Sequence, residues 1–188
     1  MPSILLSTPL SEPLSLAEAK AWLRVEHDDD DEVIAALIAG ARVHVEAQTR
    51  RALITQQWRI VRDSWPDSGR IAVLPAPLRA LTAARVYRID GTAHALDEEA
   101  IVVDAASEPG VLAFVPGTLP EPGRVAAGIE LDVETGYGDE PEDVPEPLRQ
   151  AIRMLVAHWY ENRGLTGEGQ LLPQSVAALL APYRMLLP

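Results

Sequence analysis

The chain has 188 residues, 47% of them hydrophobic, enough to bury a core in one domain, and its formal charge of −12 gives the average surface a phosphate-repelling field. That field argues against sequence-specific DNA binding through the body of the protein, while leaving the passage of DNA nearby open. No cysteine is present, which excludes disulfides and thiolate metal sites, and four scattered histidines supply little for an imidazole site.

Residues 1–16 lack a basic leading segment and are broken by Pro2, Pro9 and Pro13, so they read as neither signal peptide nor anchor. No apolar run reaches the roughly 18 residues that a bilayer span needs, and the expected location is cytoplasmic. Ser15, with Glu18 three residues on, has the pattern of a capping box and predicts a helix over about 16–24. Leu16, Ala19 and Leu23 share one face of it, with Trp22 beside them. The aspartates at 28–31 lead into Val33, Ile34, Leu37, Ile38, Ala41 and Val45, spaced for a second helix over about 30–49. A calcium loop would need alternating ligands, a central glycine and a glutamate at its twelfth position, none of which follows these aspartates. One aspartate is expected to cap the helix and the others to favour its positive end.

From 54 to 137 the period turns from helical to alternating, with glycine and proline at short intervals, which predicts a β-rich middle. Strands are expected at 57–62 and 70–74, joined as a hairpin through a turn at 66–69. A strand at 84–89 precedes Asp90-Gly91, a strong hairpin signal, and 93–96 is its expected return. Further strands are expected at 101–103, 111–115 and 129–134. In the last of these Ile129, Leu131 and Val133 should face the core and Glu130, Asp132 and Glu134 water. The proline, glycine and small residues of 116–128 predict a loop.

Pro141, Pro145 and Pro147 stiffen the approach to a main helix over 147–163, stopped by Gly164. Its apolar stripe of Leu148, Ile152, Leu155, Val156 and Trp159 is expected to support the β-rich middle. A short helix over 173–181 follows, then an apolar end at 182–188 that suits a docked segment better than a frayed one. The predicted class is α+β. A helix pair, a β-rich middle of antiparallel hairpins and two further helices form one domain over 1–181, with 182–188 as a docking tail.

Catalytic motifs are missing: there is no nucleophile elbow, phosphate-binding loop, dinucleotide fingerprint or His-Glu-x-x-His helix. His158 with Glu161 has helical spacing, but beside Trp159 it reads as packing or surface. His44 and Glu46, two apart, do not face each other on a helix. Glu130, Asp132 and Glu134 line the wet face of a strand. Arg50, Arg51, Arg59 and Arg62 are the basic groupings; they serve either helix-end compensation and surface pairing, or a subunit contact. The apolar Leu179, Leu180, Tyr183, Met185, Leu186 and Leu187 either fold back on their own domain or enter a groove on another protein. Burying four such side chains would favour docking by roughly 6–12 kcal/mol before ordering costs.

Several segments carry a resemblance in their joint order. They are Leu16-Ala17-Glu18-Ala19-Lys20-Ala21-Trp22-Leu23-Arg24-Val25 with the aspartates behind it, Ala41-Arg42 through Glu46, and Thr49-Arg50-Arg51-Ala52-Leu53-Ile54-Thr55-Gln56-Gln57-Trp58. Later come Gly136-Tyr137-Gly138, Val144-Pro145-Glu146-Pro147-Leu148-Arg149-Gln150-Ala151-Ile152 and His158-Trp159-Tyr160-Glu161-Asn162-Arg163. The chain resembles the head-to-tail connector, or adaptor, proteins of long-tailed double-stranded DNA phages and of the gene transfer agents derived from them. The match covers both helical ends and is weakest over 66–122.

The resemblance implies a structural protein with no catalysis, no cofactor and no membrane partner. It implies a ring, commonly of twelve copies, below the portal protein and above the stopper or tail-completion protein, with DNA in its lumen. The C-terminal segment, here Leu179, Leu180, Tyr183, Arg184, Met185, Leu186 and Leu187, would dock on the portal, and Arg50, Arg51, Arg59 and Arg62 would meet neighbouring subunits. Assembly would occur in the host cytoplasm, and the protein would end in the neck of a virion or gene transfer agent. Two other readings stand beside it: an acidic metal-dependent hydrolase using the aspartates at 28–31 or the strand carboxylates, and a stopper or tail-completion protein of the same neck.

Overall fold

The computed structural model describes residues 3–162 and 173–185. The strands are β1 (Ser3–Ser7), β2 (Gln56–Arg62), β3 (Arg70–Ala72), β4 (Leu78–Tyr87), β5 (Ala93–Ala95), β6 (Val102–Asp104), β7 (Val111–Ala113) and β8 (Ile129–Thr135). The helices are α1 (Leu16–Leu23), α2 (Asp31–Thr49), α3 (Glu146–Glu161) and α4 (Gln174–Leu180), so the class is α+β with antiparallel sheets. Two compact units divide the chain: a β unit of Met1–Pro9 with Thr55–Gly136, and a helical unit of Leu10–Ile54 with Tyr137–Pro188.

In the helical unit the Ser15 side chain accepts from the Glu18 amide at 3.2 Å, and the Glu18 carboxylate accepts from the Ser15 amide at 2.9 Å, a complete capping box. Buried Arg149 of α3 ties this cap down, donating through Nη2 to Glu18 Oε1 at 2.6 Å and through Nε to the Pro13 carbonyl at 3.0 Å. The aspartates behave differently from the expectation. Asp30 occupies the N-cap position of α2 but its side chain makes no capping bond; it accepts from the Tyr160 hydroxyl instead. Asp28 and Asp31 both grip Lys20 at 2.6 Å, which holds the Asp28 carboxyl below its ordinary range. A tyrosine hydroxyl on α3, not the helix's own amides, takes the N-cap carboxylate.

The core of this unit joins Ile34, Ile38, Ala41 and Val45 of α2 to Leu148, Ile152, Leu155 and Val156 of α3 and to Val176 and Leu180 of α4. Leu148, Ile152, Leu155 and Val156 of the α3 stripe are therefore buried as expected, with Trp159 partly so, and what covers them is the helical unit's own core, where the expectation was support of the β-rich middle. Periodicity shows which face is apolar; it does not say what covers it. Gly136 closes the β unit at φ +129, a region open to glycine, and Gly138 bridges Ile54 at the start of the helical return.

The β unit holds a five-stranded antiparallel sheet in the order β1-β2-β8-β4-β5 and a three-stranded one in the order β3-β7-β6. The expected hairpin of 57–62 with 70–74 does not form. β2 pairs with β1 and β8, while β3 joins the other sheet through β7. The Asp90-Gly91 hairpin does form, with Gly91 at φ +84 and β5 returning along β4. β4 starts at Leu78, well before the expected 84, because register shifts at Leu78/Ala80 and Leu81/Ala83 break the alternation of its inward residues Leu78, Leu81, Ala84 and Val86. Ile129, Leu131 and Val133 of β8 are buried beside Ile60 and Leu112.

Candidate functional site

Three local arrangements stand out: a clasp that closes the chain's end, an ionic cluster on the large sheet, and an uncharged helix face. The clasp uses the turn after α2. Arg50 leaves the helix at φ 58 and is exposed, and the next residue, buried Arg51, donates through Nε to the Tyr183 carbonyl at 2.8 Å. Its guanidinium lies 5.9 Å from the centroids of both the Tyr137 and Tyr183 rings, in cation–π range. The Met185 amide donates to the Thr49 carbonyl at 3.0 Å, and Arg184 reaches Gln48 at 3.2 Å.

Of the predicted C-terminal contact residues, Leu180 and Met185 are buried in the chain's own helical unit. Leu179 and Tyr183 pack partly against that core and Arg184 is exposed. Leu186 and Leu187 lie outside the described residues. The clasp was legible in part: an apolar end was visible, but nothing local pointed to Arg51 as its latch.

On the large sheet Asp132 is only 7% exposed, which corrects the expectation that it faces water. It accepts from Arg59 Nε at 2.6 Å, Arg59 Nη2 at 2.9 Å and Arg85 Nη1 at 2.7 Å. Burial pushes its carboxyl up, but the hydrogen bonds and charges of the two arginines outweigh that and hold it below the ordinary value. Glu130 takes Arg59 at 3.2 Å and the Tyr87 hydroxyl at 3.0 Å, and Glu134 takes Arg79 at 3.0 Å. Arg59 is thus satisfied within its own sheet. Arg62 differs: its Nε is buried with no hydrogen-bond partner among the described residues, and burial lowers its pKa.

From Val33 to Ala47 every exposed residue of α2 is Val, Ala or Gly: Val33, Ala35, Ala36, Gly40, Val43 and Ala47. Helices that meet water on one face ordinarily carry charge there. Val33 was expected in the core and is instead 38% exposed.

These arrangements offer little to chemistry. The strand carboxylates are engaged by arginines or tyrosine, His44 packs edge-on against Trp159 at 5.9 Å, and His158 lends its carbonyl to Asn162 at 2.7 Å. Among the described residues no group of three or more His, Asp or Glu is placed to hold a metal ion. No described helix is long and apolar enough to cross a membrane.

The chain belongs to the phage gp6-like head-tail connector family, whose profile matches residues 13–93 and 113–184. It is accordingly a structural connector of head to tail. The interior stretch between the two matched parts, 94–112, falls in the β unit. The fold is shared with a chain described as the neck of an empty gene transfer agent particle computed with C6 symmetry, with TM-score 0.84, 23% identity, and coverage of 100% of this chain and 97% of the other. A chain of the virion of a native gene transfer agent particle has TM-score 0.83 and 22% identity, again covering 100% and 97%. One from the neck of a native particle computed with C12 symmetry has TM-score 0.80, 22% identity and the same coverage. No curated protein sequence matches the chain significantly.

Proposed function

We propose that about twelve copies of this chain form a ring beneath the portal, above a stopper or tail-completion protein, with DNA passing through the lumen and no catalysis or cofactor involved. The observation that carries this reading is full-length likeness in fold to neck chains described with C6 and C12 symmetry. The face of α2 from Val33 to Ala47, whose exposed residues carry no charge, supports it, because subunits carrying −12 each repel less where they meet through neutral surface. Repulsion of that size favours assembly on the portal over spontaneous ring formation, and salt should ease it. The particle neck is the final location, reached after assembly in the host cytoplasm.

Leu180 and Met185 anchor the C-terminal segment to the helical unit, and Leu179, Tyr183, Arg184, Leu186 and Leu187 are the residues we assign to the portal. Among the arginines, exposed Arg50 is the one we offer to neighbouring subunits, with half-buried Arg62, whose Nε is buried, as a weaker candidate; Arg51 and Arg59 brace their own unit. Pull-down of the portal by the full chain and by a truncation ending at Met185 tests the docking. The truncation should melt like the full chain and capture less portal; undiminished capture would remove Leu186 and Leu187 as the anchor. Cryo-microscopy that finds this protein elsewhere than the neck would overturn the ring.

A further inference from the structure

We propose that the open edge of β1 is filled by a second copy of this chain through its strand β6, so that ring neighbours are joined by backbone hydrogen bonds. This rests on the ring reading above. β1 is an end strand of the five-stranded sheet, bonded to β2 on one side only, and all five of its residues are exposed. Ile4, Leu5 and Leu6 are 49%, 41% and 42% exposed. Open edges invite pairing with another chain, and proteins guard them with charge, proline or irregular backbone. β1 has neither charge nor proline, and its one register shift, between Leu5 and Ser7, leaves Ser3–Leu5 regular.

Two features select a second copy as the occupant. The first is charge: residues 1–11 contain no ionisable side chain in a chain of net charge −12, so anionic copies repel least there. The second is symmetry. A closed ring needs two different, complementary patches on each subunit, whereas β1 pairing with β1 would stop at a two-fold dimer. The complementary patch is β6, an end strand of the three-stranded sheet, with Val102 65% and Val103 36% exposed. The rival open edge, β5, presents only Ala93, His94 and Ala95 and has less apolar surface to share. Strand addition of this kind takes its affinity from main-chain bonds and its selectivity from alternate side chains.

The natural absence of cysteine makes the test clean. Full-length chains carrying one cysteine at Ile4, Leu5 or Leu6 and one at Val102 or Val103 are assembled into particles and oxidised. At least one pair should give a covalent ladder of many copies, absent from the unassembled chain. The amides of β1 that point away from β2 should exchange at least tenfold more slowly in particles than in the free chain. Leu5→Asp should reduce incorporation into necks at least tenfold while the free chain melts normally. Rings visible in the neck without any ladder, and with exchange as fast as in the free chain, overturn the strand pairing and leave the ring reading standing. Dimers from Leu5→Cys alone, or crosslinks to a different neck protein, also overturn it. Particles without a ring of this protein remove both.

Discussion

Replacing Asp132 by alanine removes the one carboxylate that holds Arg59 and Arg85 together across β2, β8 and β4. It accepts three hydrogen bonds, at 2.6, 2.9 and 2.7 Å. Hydrogen bonds to charged groups contribute about 1.5–3 kcal/mol each, and breaking a buried pair costs about 3–5 kcal/mol. The Arg59 and Arg85 side chains remain 27% and 32% exposed, and Glu130 stays 3.2 Å from Arg59, so water and Glu130 recover part of the loss. The net expectation is roughly 2–4 kcal/mol, or about 4–16 °C in Tm for a chain of this size. Denaturant melts followed by tryptophan fluorescence report it, because Trp58 packs against the core of the β unit. The pH dependence fixes the cause. The folded-state pKa of Asp132 is depressed, so its contribution is complete above the unfolded value of about 3.9 and is lost as pH falls through the folded value. The gap between wild type and Asp132→Ala should hold constant from pH 7 to about 5 and narrow in more acid solution. Apolar replacement of all three partners, Asp132→Leu with Arg59→Met and Arg85→Met, should recover much of the loss. A cost below about 1 kcal/mol for Asp132→Ala, or a gap independent of acid, would refute the ionic account.

Further expectations concern the helical unit. Ser15→Ala removes the cap of α1 and should cost about 1 kcal/mol in a chemical melt. Leu155, fully buried in α3, should cost about 2–5 kcal/mol as alanine, read the same way. Gly138→Ala places a Cβ 1.9 Å from Asp143 Oδ2 and 2.3 Å from its Cγ, so the acidic turn before α3 must move. That should cost about 1–3 kcal/mol, and a melt unchanged from wild type would contradict the close approach.

The expectations that survived rest on signals that act over a few residues. Ser15 and Glu18 sit three apart, and the turn at Asp90-Gly91 is local, so α1 and the β4–β5 hairpin were legible from spacing alone. The apolar faces of α2 and α3 followed from period, although Val33 shows that an apolar residue on the stripe's border need not be buried. β1 escaped because all of its residues are exposed and nothing in its sequence alternates. The early part of β4 escaped because its register shifts reset the parity that marks a strand.

The sequence by itself settled the class, the four helices, the Asp90-Gly91 turn and, through the order of its segments, the family resemblance. Only the tertiary structure decided which strands pair, that β8 sits at the centre of the large sheet, that Asp132 is buried, and that Arg51 latches the chain's end. The reason is range. Arg59 and Asp132 lie 73 residues apart, and Arg51 and Tyr183 132. No spacing rule reaches so far, and such contacts are chosen by the whole packing of each unit rather than by neighbours along the chain.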